Sequence, residues 1–470
     1  MQEDNFLDQI RFSTGLSLGE AMSRGLSVVM TAILFALLSS AGARAGPLLP
    51  MDVLLVAFLV TVNNLGYVEL ALKAARPGNA YTLIHEGSAG GALAFTTGWA
   101  LLLCGLGFSA LLAQGGARHV SLLLSDLLGL GVPVALLAIA LTVLAALENL
   151  VWSLLWRKSG RRLAFALSLI VLLLVAVVAL LAAPRLRAQT PRPAATYPPP
   201  GRAIPLLAAA FVGLAVIVGH QGEFRRRAVN LPRIFLSTPL LVGVLGALLA
   251  FAIGSPATEV PLVAVGEVIG GPPGRAAILA LGSVITLLSL SQTLTMAVRL
   301  LYVMIRDGFW PSWLGQVRPR SGVAIRSIVL VGLAIVPLTL VPTGLLSQVS
   351  GLLYLFTLMI VNLTLARKRR QDSPVGFALP FHPWVPALTL AMDVLVVTLW
   401  DLMPVVWTAV CLAVGFLFYL VYGRSRYLEA QEGVTIFRPV TDKRAPEEFR
   451  VLVPLSLIHI SEPTRPLYIS

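Results

Sequence analysis

The chain has 470 residues, of which 57% are hydrophobic and 12% are charged. This composition excludes a water-soluble globular protein, in which about a quarter of the residues are charged. The net charge of +13 does not indicate nucleic-acid binding, because the basic residues lie in short loops between apolar runs. We therefore predict an all-α polytopic protein in a lipid bilayer, with no nucleic-acid partner.

Apolar stretches long enough to cross a bilayer, each of about 20 residues, recur along the chain, and we number them spans 1 to 12. They cover residues 26–45, 51–73, 90–114, 132–156, 163–183, 203–222, 238–254, 276–305, 327–341, 344–366, 384–400 and 405–422. They predict a twelve-helix membrane domain at residues 26–424. A polar segment at 1–25 precedes this domain, and a tail that starts at residue 425 follows it.

Basic residues mark every second loop between the spans. Lys73 and Arg76 follow span 2, and the loops after spans 4, 6, 8 and 10 are richer in Arg and Lys. The opposite loops are poorer, apart from the Pro-rich linker at 184–201. Because cytoplasmic loops are enriched in Lys and Arg, both termini are predicted to be cytoplasmic. The high content of Arg, Ala, Leu and Gly is typical of a GC-rich bacterial genome, which predicts the inner membrane.

Span 6 contains Gly213, Gly219 and Gly222. Backbone groups at membrane depth stay open only where they line a cavity, so these glycines are compatible with an interrupted helix of the kind that holds a transporter's substrate. The alternative is close helix packing, for which membrane helices commonly use glycine. The spacing alone favours the packing alternative.

Three runs of residues carry a resemblance to a known family. The first joins Glu69 in span 2 to Pro77 and Gly78 in the next loop, where a tight turn is expected, and then to Trp99 in span 3. Its order and spacing resemble the E-L, P-x-G-G-x-Y and F-x-x-G-W-x run of the amino acid-polyamine-organocation (APC) transporters.

The other two runs follow spans 6 and 8. Residues 222–233 resemble the family's G-E-x-R and N-L-P-R elements through Glu223 and Pro232. Residues 297–311 give the most specific match, to S-R-x-L-Y-x-x-A-R-D-G-x-x-P, through Arg306, Asp307 and Gly308. The resemblance implies a LeuT-like fold, in which two inverted five-helix repeats are followed by two additional helices. In such a fold broken spans 1 and 6 face each other at the midplane.

The resemblance also implies a substrate site on spans 1 and 6. The matching positions are Met30, Thr31, Ala32, Phe211, Val212 and Gly213. Span 1 departs from the family, because residues 28–35 contain no glycine where the family has G-x-G-I-F, whose open amides hold a substrate carboxylate. In span 6 the acidic residue that often follows F-x-G is replaced by Ala215.

Ionisable and hydroxyl groups at membrane depth are the candidates for ion coupling. Glu148 in span 4 is explained equally well as a coupling residue or as an interhelical hydrogen-bond partner. Ser289 and Ser291 in span 8 offer oxygens to a cation, although such hydroxyls commonly bond to their own helix. Asp393 lies in span 11, outside the ten-helix core, which favours a structural role. The coupling ion, H⁺ or Na⁺, stays open.

Together these patterns predict an ion-driven secondary transporter for an amino acid or a related organic amine or cation. The alternative is a membrane sensor on a transporter scaffold, which the glycine-free span 1 favours and the intact span 8 run disfavours. The sequence contains no zinc-ligand spacing, phosphate-binding loop or Ser-His-acid set. We therefore predict neither an enzyme nor a metal or cofactor site.

The tail has two parts. Residues 425–454 end in an alternating apolar run that resembles the first strand of a universal stress protein domain, a small α/β module. Residues 455–470 resemble the translation of a sequencing-library adapter. We expect the residues after about Arg438 to pack poorly, because a lone strand has no partner. We also expect the natural gene to continue into a regulatory domain.

Overall fold

The computed structural model describes residues 16–74, 78–87, 90–155, 198–218, 224–253, 260–316, 324–368 and 384–431, with a few residues between 169 and 184. In these ranges the chain is helical, apart from turns and a parallel bridge between Leu16 and Phe224. The tail from residue 432 onwards lies outside the described residues, as do Pro77 and Glu223.

Spans 1 to 4 form the first half of the bundle. Span 1 has three consecutive helical pieces, Leu18–Thr31, Ala32–Leu37 and Leu38–Ala45. Spans 2, 3 and 4 are Leu49–Lys73, Gly91–Leu128 and Val134–Leu155. A short helix, Ala80–Gly87, lies between spans 2 and 3.

Spans 6 to 12 form the rest of the bundle. Span 6 comprises Ile204–Leu207, Ala208–Leu214 and Ala215–Val218, span 7 is Arg227–Ile253, and span 8 is Pro261–Arg306 with a kink at Gly271. Spans 9, 10 and 11 are Ile325–Leu338, Thr343–Lys368 and Trp384–Val397. Span 12 comprises Leu402–Phe418, Tyr419–Gly423 and Arg424–Gln431.

The described helices match the predicted spans closely. Seven helical segments within these ranges are long and apolar enough to cross a membrane, and shorter apolar helices form spans 6, 9 and 11. Spans 1 and 2 share the first of the seven segments, Leu18–Lys73. Every predicted span except span 5, which lies mostly outside the described residues, therefore falls on a helix, and the predicted all-α polytopic membrane fold is confirmed.

Span 1 begins at Leu18, earlier than the predicted Leu26, because a capping box starts the helix. Ser17 Oγ accepts a hydrogen bond from the Glu20 amide at 3.3 Å, and Glu20 Oε2 accepts one from the Ser17 amide at 2.9 Å. This reciprocal pair satisfies two backbone donors that a helix start otherwise leaves open. Polar residues before the apolar run therefore extend the helix beyond its hydrophobic part.

Helices five spans apart pack against each other. Span 1 contacts span 6, span 2 contacts span 7, span 3 contacts span 8, and span 4 contacts span 9. Because successive spans cross in alternating directions, partners five apart run in opposite directions. This is the packing of two inverted five-helix repeats.

Span 3 is the centre of the bundle, and its glycines let neighbouring helices approach. A Cβ atom at Gly105 would lie 2.6 Å from Met296 Cε of span 8, and one at Gly107 would overlap Ser350 Oγ of span 10. Small residues at such interfaces give the close packing on which membrane helices depend. Span 3 thereby holds spans 1, 8 and 10 around the region where spans 1 and 6 meet.

Candidate substrate site between spans 1 and 6

Span 1 changes helix type at membrane depth. Its middle piece, Ala32–Leu37, is a π-helix, and all six residues in it are buried. A π-helical segment within an α-helix is uncommon and is frequent at functional sites. The π segment contains no glycine. The absence of glycine from this part of span 1, which favoured the sensor alternative, therefore does not make the helix regular.

Span 6, the first span of the second repeat, also changes helix type. Its middle piece, Ala208–Leu214, is a 3₁₀-helix of seven residues, all buried. Runs of this length are uncommon in 3₁₀ geometry, because its hydrogen bonds are poorer than those of an α-helix. The π segment of span 1 and the 3₁₀ segment of span 6 contact each other.

Gly213 lies at a close contact between the two spans. A Cβ atom there would lie 2.9 Å from Val28 Cγ1 and 3.0 Å from Val29 Cγ2. The space beside Gly213 is therefore filled by span 1, and this glycine serves helix packing, the alternative that its spacing favoured. In this conformation Val28 and Val29 occupy the space beside Gly213, and the place of Gly213 in a substrate site stays a prediction.

The other predicted substrate positions are also buried. Met30 is 4% exposed, and Thr31, Ala32, Phe211 and Val212 are fully buried. The Thr31 hydroxyl donates to the Ser27 carbonyl of its own helix at 2.6 Å, a common arrangement in membrane helices. The structure thus brings the predicted positions of both spans into one buried region, closed to solvent in this conformation.

His119 of span 3 lies against the π segment. Its ring centroid is 5.2 Å from that of Phe35, and a Cβ atom at Gly282 of span 8 would lie 2.6 Å from His119 Cδ2. Nδ1 is 2.7 Å from the Gly115 carbonyl oxygen, so it carries the proton and donates. Nε2 is buried and has no hydrogen-bond partner among the described residues. Within the described part of the chain, Nε2 is therefore an unused acceptor beside the candidate site.

Sequence reasoning missed Phe35, His119 and Gly282. The available signal was the run Gly115-Gly116-Ala117-Arg118-His119, in which three small residues come shortly before the one histidine of span 3. A histidine at such a place is a candidate polar lining residue, since the glycines bring another helix close to it.

The predicted ion-coupling residues separate into two environments. Ser291 accepts a hydrogen bond from Asn149 Nδ2 of span 4 at 2.9 Å, so it is satisfied between spans 4 and 8. Glu148 is half-buried next to Asn149 on the same helix. Ser289 is fully buried, and its hydroxyl has no hydrogen-bond partner within the described ranges.

Gln292 lies almost one turn after Ser289 on span 8. Both polar atoms of its amide are buried and have no hydrogen-bond partner in the described part of the chain. Buried polar atoms are rarely left in this state without a functional or structural reason. Ser289 and Gln292 therefore offer two unsatisfied oxygens, and Gln292 was not anticipated from the sequence.

The family-motif residues meet at the face where span 1 begins, which we call the N face. Tyr81 donates to Asp307 Oδ2 at 2.8 Å, and Arg306 Nε donates to Asp307 Oδ1 at 3.0 Å. Gly308 then turns the chain with a φ of 88°, a conformation that glycine adopts readily. Burial and the adjacent Asp307 carboxylate raise the pKa of Tyr81, so its hydroxyl stays a donor.

The remaining described motif residues make contacts within or between other spans. Trp99 Nε1 donates to the Cys411 carbonyl of span 12 at 2.9 Å, and its ring lies against Gly415. Glu69 and Lys73 form a buried ion pair at 3.2 Å. Pro232 lies inside the first turns of span 7. These positions hold the scaffold together rather than line the region between spans 1 and 6.

Comparison with known proteins agrees with this architecture. Residues 14–441 match the amino acid permease family. The chain belongs to this family, within the APC superfamily. A permease carries solute across a membrane, so membership points to a transporter rather than an enzyme.

Three bacterial relatives are each 24% identical to this amino acid permease family member. The branched-chain amino acid permease BcaP of Bacillus subtilis (strain 168) aligns over 85% of this chain and 91% of its own length. The methylthioribose transporter of the same organism aligns over 88% and 93%. BcaP of Lactococcus lactis subsp. cremoris (strain MG1363) aligns over 87% and 95%. Together with the apolar helices, they place this permease in a bacterial membrane.

Proposed function

We propose that this permease is a secondary active transporter that moves a neutral amino acid with an aliphatic side chain, driven by an ion gradient. The observation that carries the proposal is the pair of contacting non-α segments, Ala32–Leu37 and Ala208–Leu214, in the first span of each repeat. Two irregular segments at membrane depth are the arrangement in which transporters of inverted-repeat architecture hold substrate.

The chemistry of recognition follows from the backbone. Rearrangement of a π or 3₁₀ segment frees amide and carbonyl groups that have no water at this depth to satisfy them. Freed amides at a helix N-terminal end attract the substrate carboxylate, and freed carbonyls accept from the substrate ammonium group. An amino acid zwitterion supplies both partners at once.

The substrate side chain is inferred from the residues around these segments. Met30, Ala32, Phe211 and Val212 are apolar, and Ala215 stands where the family often has an acid. An organic cation would be buried without a counter-charge there, which is costly. The branched-chain amino acid permease relatives support the same aliphatic class.

Orientation and coupling complete the proposal. The positive-inside rule places the N face, and with it both termini, on the cytoplasmic side of the inner membrane. The coupling ion is H⁺ or Na⁺, and Ser289 with Gln292 would supply oxygens to Na⁺.

Uptake of radiolabelled L-leucine into proteoliposomes tests the proposal. We expect accumulation when an inward H⁺ or Na⁺ gradient is imposed, and none in protein-free liposomes. Excess unlabelled L-isoleucine or L-valine should compete, whereas methylthioribose and putrescine should not. Absence of leucine uptake under both gradients, or competition by putrescine alone, would contradict the proposed substrate class.

A further inference from the structure

Asp393 of span 11 has a carboxyl group buried at membrane depth. The residue is 2% exposed, and its Oδ1 accepts a hydrogen bond from Asn63 Nδ2 of span 2 at 2.8 Å. Its Oδ2 is buried and has no hydrogen-bond partner among the described residues. One oxygen is therefore tied to span 2, and the other is unsatisfied.

Span 10 completes the cluster. Asn362 Nδ2 donates to Asn63 Oδ1 at 3.0 Å, so Asn63 links span 10 to span 11. A Cβ atom at Gly66 would overlap Asn362 Oδ1, which shows why spans 2 and 10 approach so closely at a glycine. Three spans thus meet through one asparagine.

In the part of the chain that the structure describes, no cation forms an ion pair with this carboxyl group. Spans 2 and 10 pack against span 11, and the charged side chains on the two spans lie more than one helical turn from the cluster. These are Asp52, Glu69 and Lys73 on span 2 and Arg367 and Lys368 on span 10. Glu69 and Lys73 pair with each other, and Asp52 binds the backbone at the start of span 6.

An ionised carboxylate in this position would be buried without a counter-charge, which is a costly arrangement. The Asp393 carboxyl group is therefore neutral in this conformation. Because Oδ1 accepts from Asn63, the proton lies on Oδ2, where no acceptor from the described residues meets it. Contact with water stabilises the ionised form of such a carboxyl group.

We propose that Asp393 is a proton-binding site, which holds a proton while spans 2, 10 and 11 are packed in this way and releases it when they separate. Release breaks the Oδ2–H bond, transfers the proton to water and leaves a carboxylate, and repacking reverses the step. The inference rests on the proposed transport function and makes H⁺ its coupling ion.

The connection between the spans relates this step to the candidate substrate site. Span 2 follows span 1 after the three residues Gly46–Leu48, so a rearrangement of the π segment is transmitted to span 2. Movement of span 2 carries Asn63 away from Asp393 and opens Oδ1 and Oδ2 to water. Substrate-dependent change in span 1 and proton release at span 11 are thereby linked through one helix.

Infrared spectroscopy tests proton binding without any substrate. In the full-length protein in lipid nanodiscs at neutral pH, we expect the C=O stretching band of a protonated carboxyl group, and Asp393→Asn should reduce it. Asp401→Asn is the matched control, because Asp401 is exposed and paired with Arg44 and should leave the band unchanged. Absence of the band in the wild type, or an unchanged band in Asp393→Asn, would overturn the proposal.

A double variant in which Asp393 and Asn63 exchange their side chains keeps the test decisive if Asp393→Asn does not fold. Asn63→Asp combined with Asp393→Asn restores one carboxyl and one amide group to the same cluster. We expect this double variant to fold and to regain the protonated-carboxyl band. A folded double variant without the band would contradict the role of the cluster.

Transport tests the coupling. With an inward H⁺ gradient, wild-type proteoliposomes should accumulate radiolabelled L-leucine, whereas Asp393→Asn should exchange leucine without accumulating it. Equal accumulation by Asp393→Asn would overturn the coupling role. If the wild type takes up no leucine, the proposed function fails for that substrate, while the infrared measurement still decides whether Asp393 binds a proton.

Discussion

Gly213 of span 6 lies against Val29 of span 1 so closely that a Cβ atom at Gly213 would be 3.2 Å from the Val29 amide nitrogen. This contact joins the first spans of the two repeats, within the 3₁₀ segment of span 6 and just before the π segment of span 1. The two helices therefore cannot approach each other more closely at this point, and no space remains between them for a larger side chain.

Larger side chains at Gly213 should separate spans 1 and 6. We expect Gly213→Leu to destabilise the protein by about 1–3 kcal/mol through overpacking and to abolish leucine uptake, with Gly213→Ala intermediate. Thermal unfolding and proteoliposome uptake measure the two effects. Gly344→Ala is the control, because nothing lies within 4 Å of a Cβ atom there. Wild-type stability and uptake in Gly213→Leu would refute the packing role.

Asp52 should be essential for placing the start of span 6. Its fully buried carboxylate accepts hydrogen bonds from the Gly201 and Ala203 amides at 2.6 and 2.8 Å. Asp52→Ala leaves buried donors unsatisfied, at about 1–3 kcal/mol for each group, whereas Asp52→Asn keeps an acceptor and should cost less. Thermal unfolding of the two variants measures the difference. Equal stability of Asp52→Ala and the wild type would contradict this anchoring role.

Much of the scaffold could be predicted because it depends on local patterns. Apolar runs located the spans, and the run at Arg306, Asp307 and Gly308 marked the point where span 8 ends and the chain turns. Asp52 was not anticipated, because its partners Gly201 and Ala203 are far away in the sequence and its role exists only after spans 2 and 6 meet.

The candidate site was less predictable for a related reason. The π segment Ala32–Leu37 contains no glycine or proline, so its helix type is imposed by packing against spans 3, 6 and 8 rather than by its own residues. His119 and Gln292 likewise became candidates only when their buried, unpartnered atoms were visible. Glu148, Ser289 and Ser291 stay predictions for ion coupling.

The Tyr81–Asp307 hydrogen bond should stabilise the N face in a pH-dependent way. Tyr81→Phe removes a donor to a carboxylate, which costs about 1.5–3 kcal/mol. Because the pKa of Tyr81 is raised in the folded protein, its contribution is full below the unfolded pKa of about 10 and declines at higher pH. Thermal unfolding at pH values on either side of this value should show the wild-type advantage shrink in alkali. An advantage that grows in alkali would contradict the assignment.

Asp401 should contribute to the stability of the fold near neutral pH and lose this contribution in acid, whereas Tyr81 loses its contribution in alkali. Hydrogen bonds from Gln348 and Arg44 lower the pKa of this carboxylate, so its contribution is present above the unfolded pKa of about 4 and disappears as pH falls further. The pair is partly exposed, and the effect is below about 1 kcal/mol. The difference in melting temperature between wild type and Asp401→Asn should be largest near neutrality. A difference in melting temperature that increases in acid would contradict this predicted pH dependence.

The central claim, that the non-α segments of spans 1 and 6 hold an aliphatic amino acid, is tested most directly by hydrogen–deuterium exchange. Exchange of the backbone amides in Ala32–Leu37 and Ala208–Leu214 should be measured in nanodiscs with and without L-leucine. Because a ligand stabilises the state it binds, we predict slower exchange in both segments with leucine and no change with putrescine. Exchange that is unaltered in both segments while leucine is transported would contradict the claim.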